Sequence, residues 1–299
     1  MGYSCNSEQF ILVKTTWRKE PLVLKKLFWI SFILLLSMGN AFPVQSGFDS
    51  GPAIVAHRGA SSLAPENTLA AVAMALQLGA PIIEIDVHQT RDGELVVIHD
   101  FSLDRTTTGE GSVYRQFFPA LQELSAGSWF GEHFLEQRIP SLREVLELVD
   151  GQAKLMIHVK GNQIVYPGIH SNIYNLVMEY EARDWVIIKA VSYSLLRAFY
   201  RLDPHLNLHQ ILALRALTLP LYLNHNLGIF RIRTLDFVQG VSINHRFASP
   251  RVIEYFLSLG LATNVWTVNC PERARYFAEL GVTGIITDYP DLLLIHLAR

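Results

Sequence analysis

Cysteine is nearly absent from this 299-residue chain, with Cys5 and Cys270 as its two examples. A disulfide-stapled scaffold is excluded, and if the leader described below is removed no internal disulfide is possible. Charge is also sparse, at 17% of residues with a formal net charge of -2. No Lys/Arg cluster is interleaved with aromatics, so a nucleic-acid surface is not expected. No unit of 20 to 50 residues recurs and no low-complexity tract occurs. Long apolar runs are missing as well: residues 27–38 fall short of the roughly 20 needed to span a bilayer. What is present is a hydrophobic half of the composition, enough for a large core and too much for a disordered chain.

The apolar run follows Lys25-Lys26 and precedes Gly39-Asn40-Ala41. A basic segment, a short apolar stretch and small residues at alternate positions fit a secretory signal cleaved after Ala41. The basic segment is long, which suggests that translation begins near Val23 or Leu24. Residues 1–50 are thus expected to be leader and linker. The protein is expected to be exported, either periplasmic or secreted, with an uncleaved membrane anchor at 27–38 as the alternative. Residues 51–299 are expected to form the folded part.

From residue 51 onward, strand and helix alternate. Apolar runs at 53–58, 82–87, 94–99, 154–159, 185–191, 208–214, 237–243, 263–268 and 284–287 read as strands. Asp92-Gly93 marks a hairpin between the second and third runs. Helices are expected from Pro65-Glu66-Asn67-Thr68 to Leu78, and over 142–149, 172–180, 194–201, 250–259 and 271–280. Residues 101–138, rich in Gly and Thr, read as a loop excursion. Residues 214–230 fit strand, loop or lid equally. About eight strands with helices between them imply a closed (β/α)8 barrel. Such a barrel gathers the residues at the carboxyl ends of its strands at one mouth: His57, Glu84, Asp86, His158 or Lys160, Trp266 and Asp288.

Glu84 and Asp86 lie two apart on one strand, so both side chains leave the same face. Side by side they repel unless a cation or proton lies between them. Oxygen ligands at this density suit Mg²⁺ or Ca²⁺. His88 continues that face as a further ligand, a substrate contact or a rim residue. His57 and His99 end two neighbouring elements, and a pair of imidazoles, one base and one acid, suits phosphate-ester cleavage. Arg58 offers a planar fork for phosphate oxygens. Trp266 either packs against a substrate at the mouth or belongs to the core.

Several of these pieces resemble one family. They are His57-Arg58-Gly59, Pro65-Glu66-Asn67-Thr68, Glu84-Ile85-Asp86-Val87, His99-Asp100 and Leu103-Asp104-Arg105-Thr106-Thr107. Later come Pro140-Ser141-Leu142, Val265-Trp266-Thr267-Val268-Asn269 and Gly284-Ile285-Ile286-Thr287-Asp288-Tyr289-Pro290. In this order they closely resemble the glycerophosphodiester phosphodiesterase family. The resemblance implies a TIM barrel of the phospholipase-C-like phosphodiesterase type, with a small insertion after the second strand. It implies metal-dependent hydrolysis of glycerophosphodiesters to an alcohol and glycerol 3-phosphate. By position, His57 and His99 become the acid/base pair, Glu84 and Asp86 metal ligands, Arg58 a phosphate contact and Glu66 a supporting group.

One departure stands out. Where the family shows Ile-Glu-x-Lys, this chain reads Ile157-His158-Val159-Lys160. Lys160 matches, as a second substrate contact, but the third carboxylate has become His158. An imidazole ligand favours Mn²⁺ or Zn²⁺ over Ca²⁺; water filling the position, or a barrel that only binds diesters, are the other outcomes. Retained activity with altered metal preference is expected. The expected partner is a small glycerophosphodiester, or a lysophospholipid cleaved in the manner of a lysophospholipase D. A membrane is involved only through an uncleaved leader.

Overall fold

Alternation of side chains along each strand decides this architecture. In the computed structural model, which describes residues 51–212 and 236–297, the run Ile82-Ile83-Glu84-Ile85-Asp86-Val87 splits by parity. Ile83, Ile85 and Val87 join the large core shared with the helices. Glu84 and Asp86 face the opposite way, into the barrel. The leader and the ambiguous stretch 214–230 lie outside the described residues.

The order of elements is β1 (Ala53–His57), α1 (Leu69–Gln77), β2 (Ile82–Gln89), β3 (Leu95–Val97), α2 (Phe118–Gln122), α3 (Leu142–Val149) and β4 (Lys154–Val159). After these come α4 (Ile169–Glu179), β5 (Val186–Ala190), α5 (Tyr193–Leu202), β6 (Asn207–Leu212) and β7 (Gly240–Asn244). The chain continues through α6 (Pro250–Ser258), β8 (Ala262–Trp266), α7 (Pro271–Glu279), β9 (Gly284–Thr287) and α8 (Pro290–Leu297). Every neighbouring pair is parallel except the β2–β3 hairpin, and β1 pairs with both β2 and β9. That double pairing closes the expected eight-stranded parallel barrel, with β3 as an extra strand on β2.

Capping explains where the helices begin. α3 starts at Ser141, which forms a capping box with Glu144, and its buried residues Leu142, Val145, Leu146 and Val149 mark one face. Pro250 and Pro271 open α6 and α7 at the position where a missing N–H costs nothing. α1 corrects the expectation, because it begins at Leu69 rather than near Pro65. Asn67 adopts φ +59, which a helix cannot continue through, and Thr68 then caps by accepting from Ala71 N. Just upstream, Arg58 (φ 57) and Gly59 (φ +79) turn the chain, and a Cβ on Gly59 would meet the Ala71 carbonyl carbon at 2.5 Å. Only glycine fits there.

β3 also ends early, before His99. Ile98 N still donates to Asp86 O of β2 (3.0 Å), but Val97 N donates outward to Pro140 O (2.8 Å), and the regular pairing stops there. Residues 101–138 are more than a loop. They hold α2 and two single 3₁₀ turns, Val113–Arg115 and Glu132–Phe134. A small separate core of Val96, Ile98, Leu103, Val113, Leu121, Ala126 and Ile139 anchors them. α8, not anticipated from the apolar pattern, packs against α7 and β1. Inside the barrel, Val55, Met156, Ile187 and Ile286 form an apolar floor. The charged layer lies above it.

Candidate active site

Strand register brings the charged side chains together. His57 is the lateral partner of Glu84, Asp86 of His158, and His158 of Lys189. Adjacent strands lie about 4.8 Å apart, so inward-facing partners necessarily share one layer. Glu84 and Asp86 are each 1% exposed, where an uncompensated charge would be very costly.

Both are compensated. Glu84 Oε1 lies 2.8 Å from Lys189 Nζ, and Oε2 accepts from Arg58 N at 3.1 Å. Burial pushes the Glu84 pKa up, but Lys189, with help from His57 and His158, overrides this and leaves it below the usual value. Asp86 Oδ1 lies 2.8 Å from His158 Nδ1 and 3.3 Å from Lys160 Nζ. Its Oδ2 accepts from Asn67 Nδ2 at 3.0 Å, while Asp86 N donates to Asn67 Oδ1 at 3.0 Å. Arg58 Nε is 3.5 Å from Oδ2. Burial opposes ionisation of Asp86 too, yet Lys160 and His158 hold it well below the ordinary carboxylate range.

Two imidazole–carboxylate pairs flank this layer. His57 Nδ1 is 2.6 Å from Asp288 Oδ1. Asp288 is itself fixed by Asn269, whose Nδ2 donates to Oδ2 at 2.7 Å and whose Oδ1 accepts from Asp288 N at 2.9 Å. His99 Nδ1 is 2.6 Å from Asp100 Oδ1, and Asp100 Oδ2 accepts from Arg105 Nε at 2.6 Å. Arg105 also grips both oxygens of Glu66, at 3.0 and 2.7 Å, and Glu66 Oε1 accepts from Arg58 Nη1 at 2.7 Å. Glu66 therefore ties the expected phosphate-binding arginine to the second dyad. In each dyad the carboxylate takes Nδ1–H, which leaves Nε2 to exchange a proton. Burial lowers the His99 pKa, although Asp86 and Asp100 pull it back up. Asp100 falls to about 2, its burial outweighed by Arg105 and His99.

Not every expected residue faces the site. His88 is fully buried, with Nδ1 2.6 Å from Tyr166 Oη and Nε2 3.2 Å from the His99 carbonyl oxygen. Both ring nitrogens are engaged, and burial takes its pKa down to about 4. It braces the backbone of His99 and is neither ligand nor rim. Trp266, at the end of β8, packs on the apolar floor and stays partly exposed.

Glu84, Asp86 and His158 each offer a ligand atom within 4.8 Å of the others, the one such trio among the described residues. Burial takes the His158 pKa down to about 4 despite Asp86 beside it, so the ring is neutral near pH 7. Two ionised carboxylates and a neutral imidazole fit a divalent cation. Sequence reasoning missed Lys189, Asn67 and the partners Asp100 and Arg105. Lys189 had a signal: it is the one charged residue in the buried run Val186-Ile187-Ile188-Lys189-Ala190.

The model of the glycerophosphoryl diester phosphodiesterase family matches residues 57–292. The chain belongs to that family. It is accordingly an enzyme of the phosphoric diester hydrolase class. A glycerophosphodiester phosphodiesterase of Caldanaerobacter subterraneus is 36% identical over 242 residues, 81% of this chain and 96% of the relative. One of Bacillus subtilis is 31% identical, covering 80% of this chain and 84% of that protein. Among solved structures, an Oleispira antarctica phosphodiesterase in complex with the product sn-glycerol-3-phosphate superposes with a TM-score of 0.75. Its sequence identity is 25%, with 83% of this chain and 98% of the other covered. A glycerophosphodiester phosphodiesterase from Agrobacterium tumefaciens gives a TM-score of 0.68 at 28% identity, over 82% and 99%. In this chain His158 and Lys189 place an imidazole and an ammonium directly on the acidic pair.

Proposed function

We propose that this family member hydrolyses glycerophosphodiesters to an alcohol and glycerol 3-phosphate, with His57 and His99 as the acid–base pair. The observation that carries the reading is the pairing of each imidazole with a carboxylate, on either side of a buried acidic pair that fits a cation. Glu84, Asp86 and His158 are the residues that would hold a divalent ion. When bound, such an ion draws electron density from a phosphate oxygen and orients the glycerol hydroxyls. Mn²⁺ or Zn²⁺ suits the imidazole better than Ca²⁺ or Mg²⁺.

The chain's own groups do the rest. Arg58 and Lys160 stabilise charge that grows on the phosphoryl oxygens. His57 takes the proton from the attacking oxygen, which is either water or the neighbouring glycerol hydroxyl; in the second case a water then opens the cyclic phosphate to give glycerol 3-phosphate. As the bond from phosphorus to the alcohol oxygen breaks, His99 returns a proton to that oxygen. Asp288 and Asp100 hold the two rings in the tautomer this requires. Trp266 packs against the glycerol moiety.

The test is release of choline and glycerol 3-phosphate from glycerophosphocholine by the purified enzyme, after chelation and after adding back several divalent ions. Release that stops when either imidazole is removed supports the reading. Binding without release would identify a barrel that only holds diesters.

A specific observation favours a second substrate class, lysophospholipids. Leu63, Phe101, Ile164, Val191 and Tyr289 are exposed and all lie on segments that follow the carboxyl ends of strands. An acyl chain leaving the mouth would run over them. Comparable turnover of lysophosphatidylcholine and glycerophosphocholine would support this extension. We propose export by the leader, with residues 27–38 as the only membrane attachment if they are not removed.

A further inference from the structure

Lys189 is what the proposed chemistry leaves unexplained. It rises from near the carboxyl end of β5 into the barrel and is 4% exposed, with Nζ 2.8 Å from Glu84 Oε1. His158 Nδ1 lies 4.0 Å from that same oxygen. Lys189 therefore occupies the flank of Glu84 that faces the other two candidate ligands. The acidic pair carries two negative charges. Against it stand three basic side chains: Lys189 on Glu84, and Lys160 and Arg58 on Asp86. His158 Nδ1 adds a hydrogen bond at 2.8 Å. An incoming divalent ion meets carboxylates that are already neutralised, and its nearest neighbours repel it.

We infer that Lys189 is an internal counter-cation that competes with the divalent ion for Glu84 and so sets the metal affinity of the site. The inference rests on the reading of Glu84, Asp86 and His158 as the cation site. Burying an ammonium here costs desolvation, which the Glu84 contact offsets. In return, the acidic pair stays ionised and folded when no metal is bound. Filling the site requires the Lys189–Glu84 contact to be broken or shared. Weak, readily reversible binding follows from that requirement. A residue with no charge at 189 would leave Glu84 buried and uncompensated, and the ion would then be its natural partner.

The test uses Mn²⁺ alone, with no substrate, followed by electron paramagnetic resonance on the full chain and its variants. Lys189→Met is expected to bind Mn²⁺ at least tenfold more tightly than the parent protein. Its melting temperature is expected to be lower without metal and to rise on adding Mn²⁺ by more than the parent's does. A variant that merely damaged the fold would lose affinity instead of gaining it. Lys189→Gln, which keeps a hydrogen-bond donor to Glu84, provides a gentler variant with the same expected direction if Lys189→Met does not fold. Unchanged or weaker Mn²⁺ binding in the folded variant overturns the inference. Asp86→Asn separates the two layers of the argument. If Mn²⁺ binding is insensitive to it, the site reading itself fails. If binding depends on Asp86 but ignores residue 189, only the role of Lys189 fails.

Discussion

The two imidazole–carboxylate dyads have the same Nδ1–oxygen distance, 2.6 Å, and opposite construction. His57 and Asp288 come from the ends of β1 and its neighbour β9, 231 positions apart. They meet only because the barrel closes. Asn269 pins the Asp288 carboxylate on one oxygen and its backbone N–H on the other side. His99 and Asp100 are adjacent in sequence, beyond the end of the β3 arm, and are steadied from behind by His88 and from the side by Arg105. The side-chain exposures of His57 and His99 are 14% and 30%. One dyad is therefore built into the wall of the barrel, while the other is delivered to it by an appended hairpin and its insertion. In the proposed mechanism this difference becomes a division of labour: a fixed ring beside the buried acidic layer, and a more accessible one towards the departing alcohol.

Removing the rings tests that division most severely. His57→Ala should lower kcat/KM for glycerophosphocholine by about 10²–10⁴-fold, as expected for loss of a general acid or base. It should do so for poor and activated leaving groups alike. His99→Ala should match that loss on glycerophosphocholine but lose far less on activated aryl diesters, which need no proton on departure. Equal losses on both substrates would remove His99 from the role of acid.

The carboxylates should separate the dyads by a smaller margin. Asp288→Asn is expected to cost about 10²-fold in kcat, because an amide can present the wrong group to His57 and select the wrong tautomer. Asp100→Asn should cost nearer tenfold, since His88 still holds the His99 backbone. The pH profile sharpens this further. Asp100 raises the His99 pKa, so its neutralisation lowers that pKa. If His99 must be protonated, the alkaline limb of kcat/KM moves to lower pH in Asp100→Asn. The smallest effect belongs to Arg105→Gln. Its side chain is 44% exposed, and exposed ion pairs contribute only about 0–1 kcal/mol. A thermal melt should move little, while the alkaline limb shifts slightly in the opposite direction to Asp100→Asn, because losing the cation on Asp100 leaves that carboxylate freer to favour the His99 imidazolium.

How much of this was legible follows the same divide. Glu84, Asp86, His57 and His99 could be read because each ends or interrupts an apolar run, where charge has no structural excuse. The barrel could be read because strand and helix alternate with clear caps, as at Ser141. Asn67 could not be assigned a task, because its two hydrogen bonds with Asp86 depend on a left-handed residue that breaks the anticipated helix. The partnership of His57 with Asp288 needs ring closure, which no local pattern encodes. Lys189 interrupts its apolar run in the same way, but its task stays hidden until Glu84, two strands away, is known to meet it. His88 misled for the same reason: parity gave its side, but not the Tyr166 hydroxyl waiting there.

One consequence of the ladder concerns what can be exchanged. Asp86, His158, Lys189 and His209 are successive partners across β2, β4, β5 and β6. Their spacing is set by main-chain bonding, not by the shape of the groups they carry. Chemistry can therefore be traded along this row one position at a time while the scaffold stays put. A His158→Glu change would supply a third carboxylate at the same station, and an altered preference among divalent ions is the result to look for. An interchangeable row of this kind offers one physical route by which a single barrel can drift between metal requirements without rebuilding its mouth.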